Sequence, residues 1–158
     1  MASFPSWRPW PVHATGHWGV CLRITVVTPA FNAAPFIGDS IRSVLAQTHR
    51  DLRLVVVDDG STDATASIVT ALTDPRLTLV WQVNAGVAAA RNRGMAVVEG
   101  GALLFLDADD WLAPAALATL SATLDAAPEA VAAVGPYARV DETGRPIGRT
   151  VHPPPVAP

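Results

Sequence analysis

Apolar residues follow two alternating periods along the chain. A β-branched run at residues 24–28 is stopped by Pro29, and residues 52–57 are apolar at every position except Arg53. Such runs predict strands, and a run that is apolar on both faces indicates a buried parallel strand. The same pattern predicts further strands at residues 77–81, 102–106 and 131–134.

Apolar positions spaced by three and four predict a helix after each of the first four strands. Pro35 suits the first turn of the first helix, and Ser61 or Thr62 is expected to cap the second. The fourth helix is expected to begin near Pro114. Strands that alternate with helices in this way indicate right-handed βαβ units. The predicted fold class is therefore α/β, with a mostly parallel sheet and alternating helices.

Prolines and tryptophans concentrate at the two ends of the chain. Half of the 14 prolines lie in residues 1–20 and 151–158, and three of the five tryptophans precede Cys21. We predict a disordered flank at 1–21, a compact domain at 22–149 and a Pro-rich tail at 150–158. The alternative for the flank is a tryptophan anchor at a membrane surface. The scarcity of basic residues and the lack of helical spacing argue against that anchor.

Composition narrows the classes of function. The 158 residues carry a formal net charge of −3, and all eleven basic residues are arginines, so a nucleic-acid partner is not expected. A single cysteine excludes an internal disulfide framework. No apolar run approaches the ~18–20 residues that cross a bilayer. With no secretion signal at the start of the chain, the expected location is the cytoplasm.

A distinctive cluster of residues follows each of the first four predicted strands, and three of the four clusters are polar. The carboxyl ends of parallel strands meet at one edge of a sheet, so these clusters are expected to form one pocket. Two like charges ~5 Å apart repel by about 3 kcal/mol at an effective dielectric constant near 20, so a cation is expected among the carboxylates. Hard oxygen ligands suit Mg²⁺ or Mn²⁺ together with a phosphorylated ligand. The carboxylates concerned are Asp58, Asp59, Asp107, Asp109 and Asp110.

Other readings of these clusters are weaker. The chain has neither a Walker loop nor a G-x-G-x-x-G fingerprint, so an ATPase or a dinucleotide site is not indicated. A phosphatase of the haloacid dehalogenase type would need an Asp-x-Asp on the first strand and a downstream lysine. Here Asp58 and Asp59 are adjacent, follow the second strand, and no lysine exists.

The ordered motifs resemble family 2 glycosyltransferases, closely over residues 22–112 and more loosely to Arg149. The resemblance implies a Rossmann-like, GT-A-like nucleotide-diphospho-sugar transferase fold, of which this chain holds the donor-binding half. The matching segments are Thr28-Pro29-Ala30-Phe31-Asn32, Gln47-Thr48, residues 57–63, Asn84-Ala85-Gly86, residues 90–94 and residues 106–110.

The resemblance also implies roles for individual residues. The backbone at Pro29 and Ala30 and the Asp59 carboxylate would contact the nucleotide base and ribose, and Arg91 would approach the phosphates or the base. Asp107 and Asp109 match the family's Asp-x-Asp motif. Asp109 is the expected direct metal ligand for Mn²⁺ or Mg²⁺, with Asp107 near the donor ribose or sugar. The implied binding set is completed by Asn32, Asp58, Asn84 and Gly86.

The general base of the family has no counterpart in this sequence. Only 49 residues follow Asp109, and none of their acidic residues (Asp125, Glu129, Asp141 and Glu142) has the family's context, so no base is assigned. We expect a truncated domain. Two hypotheses follow: a glycosyltransferase that moves sugar, with inversion, to an unknown glycan, lipid or protein acceptor, or an inactive nucleotide-binding remnant. An exposed sheet edge predicts self-association, and the family resemblance leaves open peripheral attachment to the inner membrane face.

Overall fold

Strands and helices alternate in the part of the chain that the structure, a computed structural model, describes: residues 22–141 and 143–152. The predicted flank at 1–21, residues 153–158 of the predicted tail, and Glu142 lie outside the described residues. The elements are β1 (Ile24–Ala30), α1 (Ile37–Leu45), β2 (Leu52–Asp58), α2 (Thr65–Ala71), β3 (Leu77–Trp81), α3 (Val87–Met95), β4 (Ala102–Phe105) and α4 (Ala116–Asp125).

The four strands form one sheet in the order β3-β2-β1-β4, and every pairing is parallel. β1 pairs with β2 over seven residues and with β4 over four. The chain therefore steps outward from β1 to β2 and β3, then returns to place β4 on the other side of β1. Such a reversal of strand order opens a crevice at the carboxyl ends of the two strands that flank it, β1 and β4. The predicted α/β class with a parallel sheet is confirmed.

Helices cover both faces of the sheet, and all seven residues of β1 are buried. Successive side chains of a strand point to opposite faces. Ile24 and Val26 accordingly pack in the larger core cluster with α1 and α2, whereas Val27 packs with Ala90 of α3. This two-sided burial explains why the strand sequences are continuously apolar rather than alternating.

Gln47 connects α1 to the start of α4 and is completely buried. Its side-chain amide donates to the Ala113 carbonyl at 2.7 Å and to the Ser43 carbonyl at 3.0 Å. Its Oε1 accepts from the backbone N–H of Leu117, one of the N–H groups that the first turn of a helix leaves without a partner. The side chain therefore satisfies backbone groups on two helices and fixes where α4 begins.

β1 continues through Pro29 to Ala30, beyond the stop that the proline predicted. Ala102 donates to the Arg23 carbonyl and Leu106 donates to the Val27 carbonyl. The backbone N–H and C=O groups of the odd-numbered residues in β1 therefore point toward β4. β4 has ended by the level of Pro29, so the missing N–H of the proline removes no bond from the sheet.

The strand predicted at residues 131–134 is wrong. These residues are irregular, and Val131 is fully exposed. Beyond α4, the described chain forms only isolated antiparallel bridges, Tyr137 with Val151 and Val140 with Pro146. An apolar run becomes a strand only where a neighbour accepts and donates its backbone hydrogen bonds, and no described strand pairs with this run.

The prediction that Ser61 or Thr62 caps α2 is also wrong. The helix begins at Thr65, and its N-cap residue is Ala64, which has no polar side chain to cap with. The residue before it, Asp63, accepts from the Thr65 N–H at 2.9 Å through its Oδ1. Further along the chain, the Gly144 N–H donates to the Asp141 carbonyl at 2.9 Å and closes a turn. Among the described residues, no helix has both the length and the hydropathy that crossing a membrane requires.

Gly94 is expected to be essential to the packing of α3 on the sheet. A Cβ at this position would overlap Val27 Cγ1 and lie 3.3 Å from Val57 Cγ2. Gly94→Ala should therefore lower the free energy of unfolding by about 1–3 kcal/mol, the usual effect of overpacking a core. Urea unfolding followed by circular dichroism measures this.

The matched control is Gly38→Ala in α1, where the added Cβ would meet only the flexible end of Arg42, at 3.3 Å. Alanine is a better helix former than glycine by about 1 kcal/mol, so this variant should be as stable as the wild type or more stable. Equal losses of stability in the two variants would contradict the close approach of α3 to β1 and β2.

Candidate functional site

A cleft of about 480 Å³ lies at the carboxyl ends of β1 and β4, where the strand order reverses. Its walls come from the β1–α1 connection, the end of β2, the start of α3 and the β4–α4 connection. Of the ten binding residues that the sequence analysis names, seven line this cleft. They are Pro29, Ala30, Asn32, Asp59, Arg91, Asp107 and Asp109.

Asp59 organises the β2 side of the cleft. Its buried carboxylate accepts from Gln82 Nε2 at 2.7 Å, from the Ala85 N–H at 2.9 Å and from the Gly86 N–H at 2.8 Å. Burial raises the pKa of Asp59, but the hydrogen bonds from Gln82, Ala85 and Gly86 outweigh it and leave the pKa below its ordinary value. The carboxylate therefore stays ionised and ties the end of β2 to the connection between β3 and α3.

Asp58, Asn84 and Gly86 do not line the cleft but shape it. The buried Asp58 carboxylate accepts from the Ser61 N–H at 2.9 Å and so closes the turn after β2. Gly60 has a φ of +75°, and a Cβ there would lie only 2.8 Å from the Asn84 backbone nitrogen. Gly86, with a φ of +87°, turns its N–H toward Asp59. These residues hold the β2–α2 connection in close contact with the β3–α3 connection, next to the cleft.

Asn32 joins the β1–α1 connection to the β2–α2 connection. It has a φ of +50°, which asparagine tolerates better than most residues. Its Oδ1 accepts from the Thr62 N–H at 2.9 Å, and its own N–H donates to Ser61 Oγ at 3.0 Å. Because its side chain is bonded to the β2–α2 connection, Asn32 fixes the position of the β1–α1 connection where it lines the cleft.

The β4 side of the cleft is acidic. Asp107 Oδ1 lies 2.6 Å from Arg91 Nη2, whereas Asp109 makes no hydrogen bond or ion pair with the described residues. The neighbouring Asp110 has a raised pKa, first because of burial and then because of the negative charges of Asp109 and Asp107. The repulsion between carboxylates that the sequence analysis expects is therefore present on this side.

These carboxylates suit a hard divalent cation that takes its remaining ligands from water and phosphate. No group of three or more histidine, cysteine or acidic side chains among the described residues could enclose a metal. Two carboxylates on one open wall suit Mg²⁺ or Mn²⁺, which are commonly held by one or two carboxylates with water and phosphate oxygens as the other ligands. Asp109 and Asp107 are the residues that would hold such an ion.

Two aromatic side chains at the cleft were not among the predicted site residues. Phe31 and Phe36 line it and are about half exposed. Phe36 immediately precedes α1 and lies off the inward stripe of Ile37, Ile41 and Val44. A large aromatic side chain outside the buried stripe and beside a polar cluster was the signal that could have identified it.

A family model described as "Glycosyl transferase family 2" matches residues 25–154. The chain belongs to this family, which confirms the resemblance seen in its motifs.

Several curated relatives share the same region. The chain is 38% identical over 92 residues to the glycosyltransferase GlyA of Streptococcus pneumoniae, which covers 57% of this chain and 13% of that protein. It is 40% identical over 105 residues to the succinoglycan biosynthesis protein ExoO of Rhizobium meliloti, and this match covers 66% of this chain and 30% of ExoO. The chain thus spans less than a third of the length of these two relatives.

Solved structures confirm the GT-A-like fold. Staphylococcus aureus TarS, crystallised with UDP-GlcNAc, superposes with a TM-score of 0.63 at 29% identity, covering 66% of this chain and 32% of TarS. The mannosyltransferase PcManGT of Pyrobaculum calidifontis, in complex with GDP-Man and Mn²⁺, gives a TM-score of 0.55 at 34% identity, covering 66% and 32%.

Asp59→Asn is expected to destabilise the domain. The amide keeps only one acceptor oxygen and turns a donor toward backbone N–H groups, so the free energy of unfolding should fall by about 1–3 kcal/mol at neutral pH. The folded-state pKa of Asp59 is lowered, so its stabilisation is full above the ordinary value of 3.8 and is lost as the pH falls below it. Denaturant unfolding at a series of pH values should show the difference between wild type and variant shrinking in acid.

Asp109→Asn is the control, since Asp109 has no partner among the described residues to lose. Its stability should stay within about 0.5 kcal/mol of the wild type. A stable Asp59→Asn protein, or a difference that persists unchanged in acid, would contradict the structural role of the Asp59 carboxylate.

Proposed function

We propose that this chain is the donor-binding part of a glycosyltransferase that uses a nucleotide-diphospho-sugar and a divalent cation and transfers the sugar with inversion. The observation that carries the proposal is the single cleft between β1 and β4, which combines Asp59 at one end with Asp107 and Asp109 at the other. The family membership and the donors bound by TarS and PcManGT support it.

The β1–β2 side of the cleft is proposed to hold the nucleoside. Three protein donors already bond the Asp59 carboxylate, two on Oδ1 and one on Oδ2. A carboxylate has about four acceptor positions, so one remains for an N–H or hydroxyl of a base or ribose. Pro29 and Ala30 present backbone along the same wall, and Phe31 and Phe36 offer aromatic surface for a base.

The β4 side is proposed to hold the diphosphate. Arg91 supplies a guanidinium, which suits phosphate oxygens, and Asp109 and Asp107 would ligate Mn²⁺ or Mg²⁺. A cation bound there would stabilise the negative charge of the departing nucleoside diphosphate. Asn32, Asp58, Asn84 and Gly86 hold the loops that carry these groups.

A second candidate is a domain that binds the donor without transferring sugar. Inversion requires an acidic group to take the acceptor proton, and the acidic residues that line the cleft, Asp59, Asp107 and Asp109, already have other roles. Asp141 is engaged in its own turn with Thr143 and Arg145. We therefore assign no base, and the acceptor remains a glycan, a lipid or a protein. For this glycosyltransferase we propose a location in the cytoplasm, either at the inner face of the membrane or away from it.

Donor binding is expected to require the metal. Calorimetric titration of UDP and of GDP into the chain should show binding with Mn²⁺ and a loss of at least about tenfold with a chelator, equivalent to ~1.4 kcal/mol. Asp109→Ala should give the same loss because it removes a metal ligand. Asp125→Ala, at the end of α4 and outside the cleft, should bind as the wild type does.

Two outcomes would count against the proposal in different ways. Failure of a folded chain to bind either nucleotide would reject the donor site. Binding that ignores both the chelator and Asp109→Ala would reject the role of the metal. Release of UDP from UDP-GlcNAc by the purified chain, measured by mass spectrometry, would exclude the non-catalytic candidate.

Self-association is proposed through β4. This strand pairs only with β1 among the described residues, and Leu103 and Phe105 on it are 37% and 39% exposed. An open strand edge with apolar side chains favours contact between copies. Light scattering over a concentration series should show oligomers, and Leu103→Arg should shift them toward monomer. A wild-type chain that stays monomeric throughout would contradict this surface.

A further inference from the structure

Arg91 is held on the cleft wall by two contacts. Its Nη2 lies 2.6 Å from Asp107 Oδ1, and its Cζ lies 5.7 Å from the centroid of the Phe105 ring. The Nε atom is buried and has no hydrogen-bond partner among the described residues. A buried N–H without an acceptor is unfavourable. In the observed position, Arg91 pairs with the charge of Asp107, but its Nε–H is left without an acceptor.

Arg91 is the one basic residue among those that line the cleft, and no other described arginine forms an ion pair with Asp107 or Asp109. The four other ion pairs of the described chain each join an arginine to an acidic residue outside the cleft. Asp109 has no hydrogen-bond or ion-pair partner among the described residues. Without a bound ligand, Arg91 supplies the positive charge that this wall otherwise lacks.

We propose that Arg91 is an internal counter-ion that occupies Asp107 when no metal is bound and leaves it when the divalent cation and the donor enter the cleft. The inference rests on the proposed function and adds a specific step to it, the exchange of one cation for another at Asp107. Arg91 is thus a positioning residue for the metal site as well as a candidate contact of the diphosphate.

The geometry suits such an exchange. The side chains of Arg91 and Asp107 are 37% and 52% exposed, and ion pairs with this exposure are weak enough to be replaced. A divalent cation on the other oxygen of Asp107 would share one carboxylate with the guanidinium, and the two positive charges would repel. Once Arg91 leaves Asp107, its Nε is free to gain an acceptor, and phosphate oxygens suit a guanidinium. Contact with the exposed Phe105 ring keeps the guanidinium close to the cleft.

Titration of Mn²⁺ alone into the 158-residue chain tests the exchange. Arg91→Met removes the competing charge and should bind Mn²⁺ about threefold to fivefold more tightly, the range that a partly exposed ion pair allows. The same variant should bind UDP in the presence of Mn²⁺ at least about threefold more weakly, because a donor contact is lost. Opposite changes for metal and nucleotide are not expected from a merely structural residue.

Two further variants serve as controls. Arg91→Lys keeps the charge and should restore a Mn²⁺ affinity close to that of the wild type. Arg93→Met removes an exposed arginine of the same helix that does not line the cleft, and it should change neither titration. Unchanged or weaker Mn²⁺ binding by Arg91→Met would overturn the inference while leaving the proposed function in place if the wild type binds UDP and Mn²⁺. Absence of Mn²⁺ binding in both the wild type and Arg91→Met would reject the proposed metal site and the inference together.

A measurement on the wild type covers the case in which Arg91→Met does not fold. The arginine Nε–H signals of the ¹⁵N-labelled chain are followed by NMR as Mg²⁺ and UDP are added. The Arg91 signal should shift on saturation, whereas that of Arg93 should stay in place. An Arg91 signal that does not move at saturating Mg²⁺ and UDP would overturn the exchange.

Discussion

The parallel pairing of β1 with both β2 and β4 is the constraint on which the cleft depends. Because β4 returns to the far side of β1, the connections that follow β1 and β4 meet at the reversal of strand order. α3 crosses β1 closely since Gly94 has no side chain to hold it away from Val27. Arg91 lies three residues earlier, on the same side of that helix, and therefore reaches Asp107.

The aspartates that follow the strands serve two different physical purposes. Asp58 and Asp59 are buried at the end of β2, where N–H groups of the next connections donate hydrogen bonds to them. Asp107 and Asp109 are exposed after β4 and are opposed by one guanidinium. The expectation that all the carboxylates need an external cation therefore applies only to the β4 side, since hydrogen bonds already stabilise the charge of the β2 pair.

The features that could be predicted from the sequence are those set by local periodicity. The apolar run at residues 52–57 predicted β2, and the order of the clusters after the strands predicted the edge on which the cleft lies. The strand at residues 131–134 was wrong because pairing depends on a neighbour that periodicity does not reveal. The bonds of Gln47 to Ala113 and Leu117 also join segments more than 60 residues apart, so local pattern carried no signal for them.

The two ends of the cleft differ in how much they can change. The carboxylate of Asp59 is buried with three donors, and moving it would leave all of them unsatisfied, so this end is preorganised. The pair of Arg91 and Asp107 is partly exposed and is inexpensive to separate. A ligand that spans the cleft would therefore meet a fixed surface at one end and an adjustable charge at the other. Conformational change on binding is then expected at β4 and α3, where the charges are least satisfied, rather than at β2.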